Sequence, residues 1–291
     1  MASKPKLDLG LARTAHINWE YEMEAASRGG TITTASQSDD ECALGRWLDG
    51  PGMDDYGGLE AIHPLKIAHE KFHLAARRMA LIHENGGSRL RVAQELQTVR
   101  EFSQEVIFHL TEIELESLEI NHQMPPTRRP ARAHFQRLFA GPFRALPEDH
   151  GILKISQARL IHLRWVKNLM TAFRHWGKGV SLESAELCSL GVWIHATGLS
   201  RFSGFSEMVQ LDSAHKAFHE QAEKVLRALR NKQHRRAEDH YKHTLDLSRE
   251  IVYLLSVIEY KINDSDAIQT TESFLDIPDT ALDLDSELDR E

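Results

Sequence analysis

Cys42-Ala-Leu-Gly-Arg-Trp-Leu48 returns as Cys188-Ser-Leu-Gly-Val-Trp-Ile194, displaced by 146 positions. The same displacement carries His16 onto His162, His69 onto His215 and His73 onto His219. Each set runs His, 26 residues to Cys, 27 to His, then 4 to His. The chain has two cysteines and 17 histidines, and both cysteines and six of the histidines fall inside these matched frames. One module has been duplicated, and it kept three imidazoles and a thiol. Trp19/Trp165, Leu44/Leu190, Gly45/Gly191, Trp47/Trp193 and Phe72/Phe218 recur in the same frame.

That ligand set suits zinc, which accepts mixed nitrogen and sulfur donors around a tetrahedron. The i, i+4 pairs His69/His73 and His215/His219 place two imidazoles one turn apart on a helical face. One His from the first helix and one Cys from a short helix complete four donors. The expected sites are therefore His16, Cys42, His69, His73 and His162, Cys188, His215, His219, holding two zinc ions per chain. A single His pair is most often a surface accident, and a single buried Cys is usually packing; the second copy tips the balance toward metal. His63, His83, His109, His175 and His195 have no histidine at the paired position and read as surface residues.

Outward from these motifs, nearly every periodic segment reads as helix, giving an all-α class. Leu7 to Arg28 spaces Leu11, Ala15, Trp19 and Met23, with Ala12 and Ala26 alongside, as an amphipathic apolar stripe, and Gly29-Gly30 ends the helix. Asp39 and Asp40 are expected to cap the short Cys42 helix. A long helix from about Leu59 carries His69 and His73 and stops at Asn85-Gly86-Gly87. Ser88 caps a fourth helix to about His122, with Leu96, Val99, Val106, Leu110, Ile113 and Leu118 inward. Residues 123–151, with Pro125, Pro126, Pro130, Pro142 and Pro147, form a linker, and 152–262 repeat the order of 1–122. The fourth helices correspond at an offset of 145, through Ser103-Gln-Glu-Val-Ile-Phe and Ser248-Arg-Glu-Ile-Val-Tyr. The prediction is two tandem antiparallel four-helix bundles, joined by a proline-rich linker and followed by a disordered acidic tail, 263–291.

Composition narrows the function classes. With 41% hydrophobic residues each half can bury a core without disulfides. Of the net charge of −8, the stretch 263–291 carries −9, from ten acidic residues against Arg290. The remainder is nearly neutral, which is not the basic footprint of a nucleic-acid binder. No apolar run approaches the length of a membrane span, and Met1 to Gly10 lacks a signal-peptide core, so a cytoplasmic, reducing location is expected.

The pattern His16…Cys42-Ala-Leu-Gly-Arg-Trp-Leu…His69-Glu-Lys-Phe-His73 resembles the chemoreceptor zinc-binding (CZB) domain. His162…Cys188-Ser-Leu-Gly-Val-Trp-Ile…His215-Lys-Ala-Phe-His219 is similar to the same domain. The resemblance covers roughly residues 5–122 and 152–262. It implies a four-helix bundle binding one zinc through three His and one reactive Cys. It also implies a regulatory role in bacterial signalling, responding to zinc or to oxidants such as hypochlorous acid, and a tendency to dimerise. No receptor hairpin or cyclase module is recognisable in the rest of the chain, so any output runs through a partner signalling protein, and the two copies are candidates for an internal pseudo-dimer.

Three functions fit these residues: a zinc or oxidant sensor, a structural zinc protein or buffer without switching, and a zinc hydrolase. His69-Glu-Lys-Phe-His73 contains a His-Glu-x-x-His arrangement, with Glu70 in the place of a general base. The second copy, His215-Lys-Ala-Phe-His219, loses that Glu while keeping every ligand, which favours binding over catalysis. No catalytic residue is predicted.

Overall fold

The computed structural model describes residues 8–28, 38–121, 151–177 and 182–275, and among these the regular structure is entirely helical. The first half comprises α1 (Leu9–Ser27), α2 (Ala43–Leu48), α3 (Pro51–Tyr56), α4 (Ile62–Glu84) and α5 (Arg89–Asn121). The second comprises α6 (Gly151–Arg174), α7 (Ser189–Trp193), a π-helical turn (Ile194–Gly198), α8 (Leu199–Arg201), α9 (Ser206–Arg230) and α10 (His234–Leu275). Each half is thus three long helices with a short Cys-bearing helix. The linker falls almost wholly outside the described residues. Helix α10 runs on to Leu275, thirteen residues into the stretch assigned above to the acidic tail, and the rest of that stretch lies outside the described residues.

Local chemistry explains the boundaries. Asp8 caps α1, its carboxylate accepting from the backbone N–H of Gly10 at 2.8 Å and Leu11 at 3.1 Å. Ser88 accepts from the Arg91 N–H at the start of α5, as the sequence predicts. Gly86 ends α4 with φ +68°, a left-handed value that glycine adopts without steric cost. At the equivalent stop of α9 the position is Lys232, with φ +57°. Pro51 separates α2 from α3 because it has no N–H to continue the first helix. The second half has Thr197 there, and its chain continues through the π turn instead.

Along α4 the residues Ile62, Leu65, Ala68, Phe72, Ala75, Ala76 and Met79 form one buried stripe. Burial of Phe72 alone contributes about 2–3 kcal/mol by the area it removes from water. His69 and His73 sit inside this stripe, each only 1% exposed. Two expectations for the core are corrected. Leu118 is 39% exposed, and the α1 stripe is interrupted because Leu11 is 68% exposed and Ala15 is exposed too. Their surroundings matter below.

The halves pack face to face through a separate apolar cluster that includes Ile17, Ile107, Leu115, Leu163, Val252 and Val257. Ile17/Leu163 and Ile107/Val252 are equivalent positions, so both halves offer the same face. Tyr253 donates to Glu20 at 2.7 Å and Tyr260 to Asn18 at 3.0 Å across the seam. Each half also contributes a buried guanidinium: Arg13 pairs with Glu114 at 2.7 Å, and Arg159 with Glu259 at 2.5 Å.

Candidate metal centre

In the first half Cys42 Sγ lies 3.1 Å from His69 Nε2, which lies 3.2 Å from His73 Nε2. In the second, Cys188 Sγ is 3.2 Å from His215 Nε2, and His219 Nε2 is again 3.2 Å from His215 Nε2. Donors bonded at about 2.0–2.3 Å around a tetrahedral zinc lie roughly 3.3–3.7 Å apart, so two edges of each cluster, at 3.1–3.2 Å, come slightly inside the spacing of a tetrahedral face. Cys42–His69–His73 and Cys188–His215–His219 each hold their donor atoms within 4.8 Å of one another.

The short helices aim the cysteines. Cys42 and Cys188 are themselves the caps of α2 and α7, which corrects the expectation that Asp39 or Asp40 caps the first. Each sulfur accepts from the N–H three residues on, Gly45 at 3.2 Å and Gly191 at 3.3 Å. The recurring glycines now have a reason. A Cβ on Gly45 would lie 1.5 Å from the Asp39 carbonyl oxygen and 3.2 Å from the His69 ring. On Gly191 it would lie 1.6 Å from the Ala185 oxygen and 3.2 Å from the His215 ring. Only glycine lets the chain fold this tightly against the imidazole.

The fourth predicted ligand stands one step away. The His16 ring centroid is 5.5 Å from that of His69, and its Nδ1 is buried without a hydrogen-bond partner. His162 points Nε2 at the Ser248 hydroxyl, 3.0 Å distant. Both rings are almost fully buried and rest on a phenylalanine, His16 on Phe72 and His162 on Phe218, each at 4.6 Å. The structure therefore brings three of the four expected ligands of each set into contact and holds the fourth beside them.

Electrostatics favour a neutral nitrogen set. Burial, reinforced by neighbouring imidazoles, holds His16 and His162 well below the ordinary histidine range. Burial and His73 lower His69 to about 4, and burial and His219 lower His215 to about 3. Burial likewise raises the Cys42 thiol, and Cys188 to about 11. Neutral imidazoles present their lone pairs, while a bound divalent cation would supply the positive counter-charge that a buried thiolate needs. His219 donates from Nδ1 to the Glu183 carbonyl at 3.0 Å, fixing Nε2 as its inward donor. Trp19 and Trp165 close over His73 and His219, with ring centroids 4.9 and 5.4 Å apart, as packing partners.

A family model for the chemoreceptor zinc-binding domain matches residues 16–80 and again residues 162–226, and all four expected ligands lie inside each match. Each half carries a chemoreceptor zinc-binding domain. No curated protein and no solved structure gives a significant match. The clustered Cys, His and His of each CZB domain fit zinc. Glu70 is exposed while both flanking histidines are buried, so it does not share their buried face. None of the described helices is long and apolar enough to cross a membrane.

The sequence missed Arg13/Arg159 and Glu114/Glu259, the ion pairs beside the seam between the two CZB domains. The signal was present, since these pairs recur at the same offsets of 146 and 145 as the metal ligands and the fourth helices. His162–Ser248 recurs at those offsets too, as His16 and Ser103, whereas His219–Glu183 carried no such signal because position 37 is Gln and the contact depends on how a loop meets a helix.

Proposed function

We propose that each CZB domain binds one zinc through three imidazoles and one thiolate, and that the paired domains form a sensory or regulatory unit acting through a partner signalling protein. The observation that carries this reading is that the residue capping each short helix also places its sulfur 3.1–3.2 Å from an imidazole of the His pair. Zinc would tie that helix start to the His pair of the long helix and stabilise the thiolate. Losing the ligand frees the first turn of α2 or α7 from the bundle, converting a local chemical event into a movement of a helix. Hypochlorous acid is a suitable oxidant. The thiolate sulfur gives up two electrons, takes the hydroxyl to become a sulfenic acid, and releases chloride. A sulfenic acid is a poorer donor than a thiolate, so oxidation favours metal release.

A purely structural zinc has its own support in the nearly complete burial of Cys188, 6% exposed. Metal analysis of the purified chain is expected to give two zinc per molecule, falling by one in each of Cys42→Ala and Cys188→Ala. Titration with hypochlorite in the presence of a chromogenic chelator is expected to release zinc as the cysteines oxidise. Fewer than one zinc per wild-type chain under non-stripping conditions defeats the binding reading. Retention of zinc with reduced cysteines defeats the switch alone. Loss of the whole helical fold on chelation favours the structural reading over sensing.

A further inference from the structure

We propose that the two metal centres divide the work: the first exchanges its metal and presents Cys42 to small neutral reagents through an open groove, whereas the second is plugged by Ile161 and holds its metal. This inference rests on the zinc reading above. The groove of the first half measures about 810 Å³, while its counterpart in the second half is a pocket of about 30 Å³. Cys42 and His16 form part of the first groove's floor, with Leu11, Ala15, Trp19 and Trp47 in its walls. The second pocket is lined by all four expected ligands, His162, Cys188, His215 and His219, together with Ile161, whereas the first groove reaches only His16 and Cys42 of its set.

Position 161 accounts for the closure. It is the equivalent of Ala15, one residue before the expected histidine ligand, and it puts a larger, half-buried branched side chain in the lining of the second pocket where the first groove has only a methyl. Trp165 is buried where Trp19 remains partly exposed. Cys188 is buried where Cys42 is only partly covered. Leu11 and Ala15 repeat the apolar spacing of a packed helix face yet remain exposed, whereas Leu11 is replaced by Gln157 in the closed copy. The first half thus keeps an apolar approach to its thiol, which suits small uncharged molecules, and the second has lost it. Equal donor spacing in the two clusters locates the difference in access rather than in the ligands.

Iodoacetamide labelling followed by peptide mass spectrometry compares both cysteines within one molecule. The thiolate sulfur displaces iodide and forms one S–C bond. Cys42 is expected to react about tenfold or more faster than Cys188, in zinc-loaded and in chelator-stripped protein alike. Zinc transfer to a chelator should show a fast and a slow phase of one equivalent each. Ala15→Ile should slow Cys42 labelling and the fast phase; Ile161→Ala should speed Cys188 labelling and the slow phase, with helicity confirming that both variants fold. Equal labelling of the two cysteines in the folded wild-type protein overturns the inference, as does an Ala15→Ile variant that folds and leaves Cys42 labelling unchanged. Absence of zinc with unequal labelling overturns the zinc reading while leaving the difference in access standing.

Discussion

Cys42 and Cys188 cap equivalent short helices, stand 3.1 and 3.2 Å from equivalent imidazoles, and rest against equivalent glycines. Around the first lies a groove of about 810 Å³; around the second lies a pocket of about 30 Å³. Duplication has preserved the donors while the walls diverged. The comparison teaches that ligand identity and ligand access are set by different residues. Ala15, Leu11 and Arg46 are replaced by Ile161, Gln157 and Val192 while the Cys–His and His–His separations stay within 0.1 Å.

The strongest way to break the equivalence is to remove the feature both centres share. Gly191→Ala and Gly45→Ala should each push the short helix off its imidazole, since the new methyl meets a backbone carbonyl that cannot yield. Each is expected to cost about 1–3 kcal/mol and one zinc per chain, read by thermal melting and metal analysis. An alanine variant that retains two zinc and its melting temperature would remove the steric account of these glycines.

The ion pair beside the seam carries a larger stability cost but leaves both metal centres intact. Glu259 holds Arg159 and also accepts from Ser156 at 2.6 Å, whereas the first half has Gly10 in place of that serine. Glu259→Ala leaves a nearly fully buried guanidinium unpaired and is expected to cost about 3–5 kcal/mol without changing zinc content. Glu114→Ala should cost less, because Glu114 is 25% exposed against 16% for Glu259. Denaturant unfolding of both variants checks the ranking, and equal losses would show that the serine contributes nothing.

The most graded effect is with pH, on metal-free protein. His69 and His215 have folded pKa values lowered from 6.5, to about 4 and about 3. The unfolded chain therefore takes up these protons first, and stability falls as pH drops below about 6.5. The loss should continue to about pH 4 for the first half and to about pH 3 for the second. Urea midpoints between pH 7 and 3.5 test this, and a flat profile would contradict the buried, neutral imidazoles.

Much of the molecule was legible in the sequence because its signals are local or repeated. The apolar spacing around His69 and His73 announced a buried helix face, and Gly86 and Ser88 marked where one helix stops and the next begins. The offset of 146 located both ligand sets, since a duplicated spacing survives only where the residues share a task. Leu11 misled for a physical reason: periodicity shows which side chains share a face, not whether another element covers that face. Asp39 and Asp40 misled because an acidic residue is the commoner cap, while here the cysteine sulfur performs that role. Gly45 and Gly191 were visible as repeats, but their purpose lay in carbonyls at Asp39 and Ala185 that approach only in the folded chain.

Taken alone, the sequence determined the duplication, the helical class and the eight candidate ligands, because these follow from covalent order and helical periodicity. Only the tertiary structure decided which donors touch, how the two halves meet through Ile17, Leu163 and Val252, and which thiol solvent can reach. Those properties depend on distances between elements remote in the chain, and the exchange of Ala15 for Ile161 acquires its meaning only where α1 and α6 pass their own cysteines.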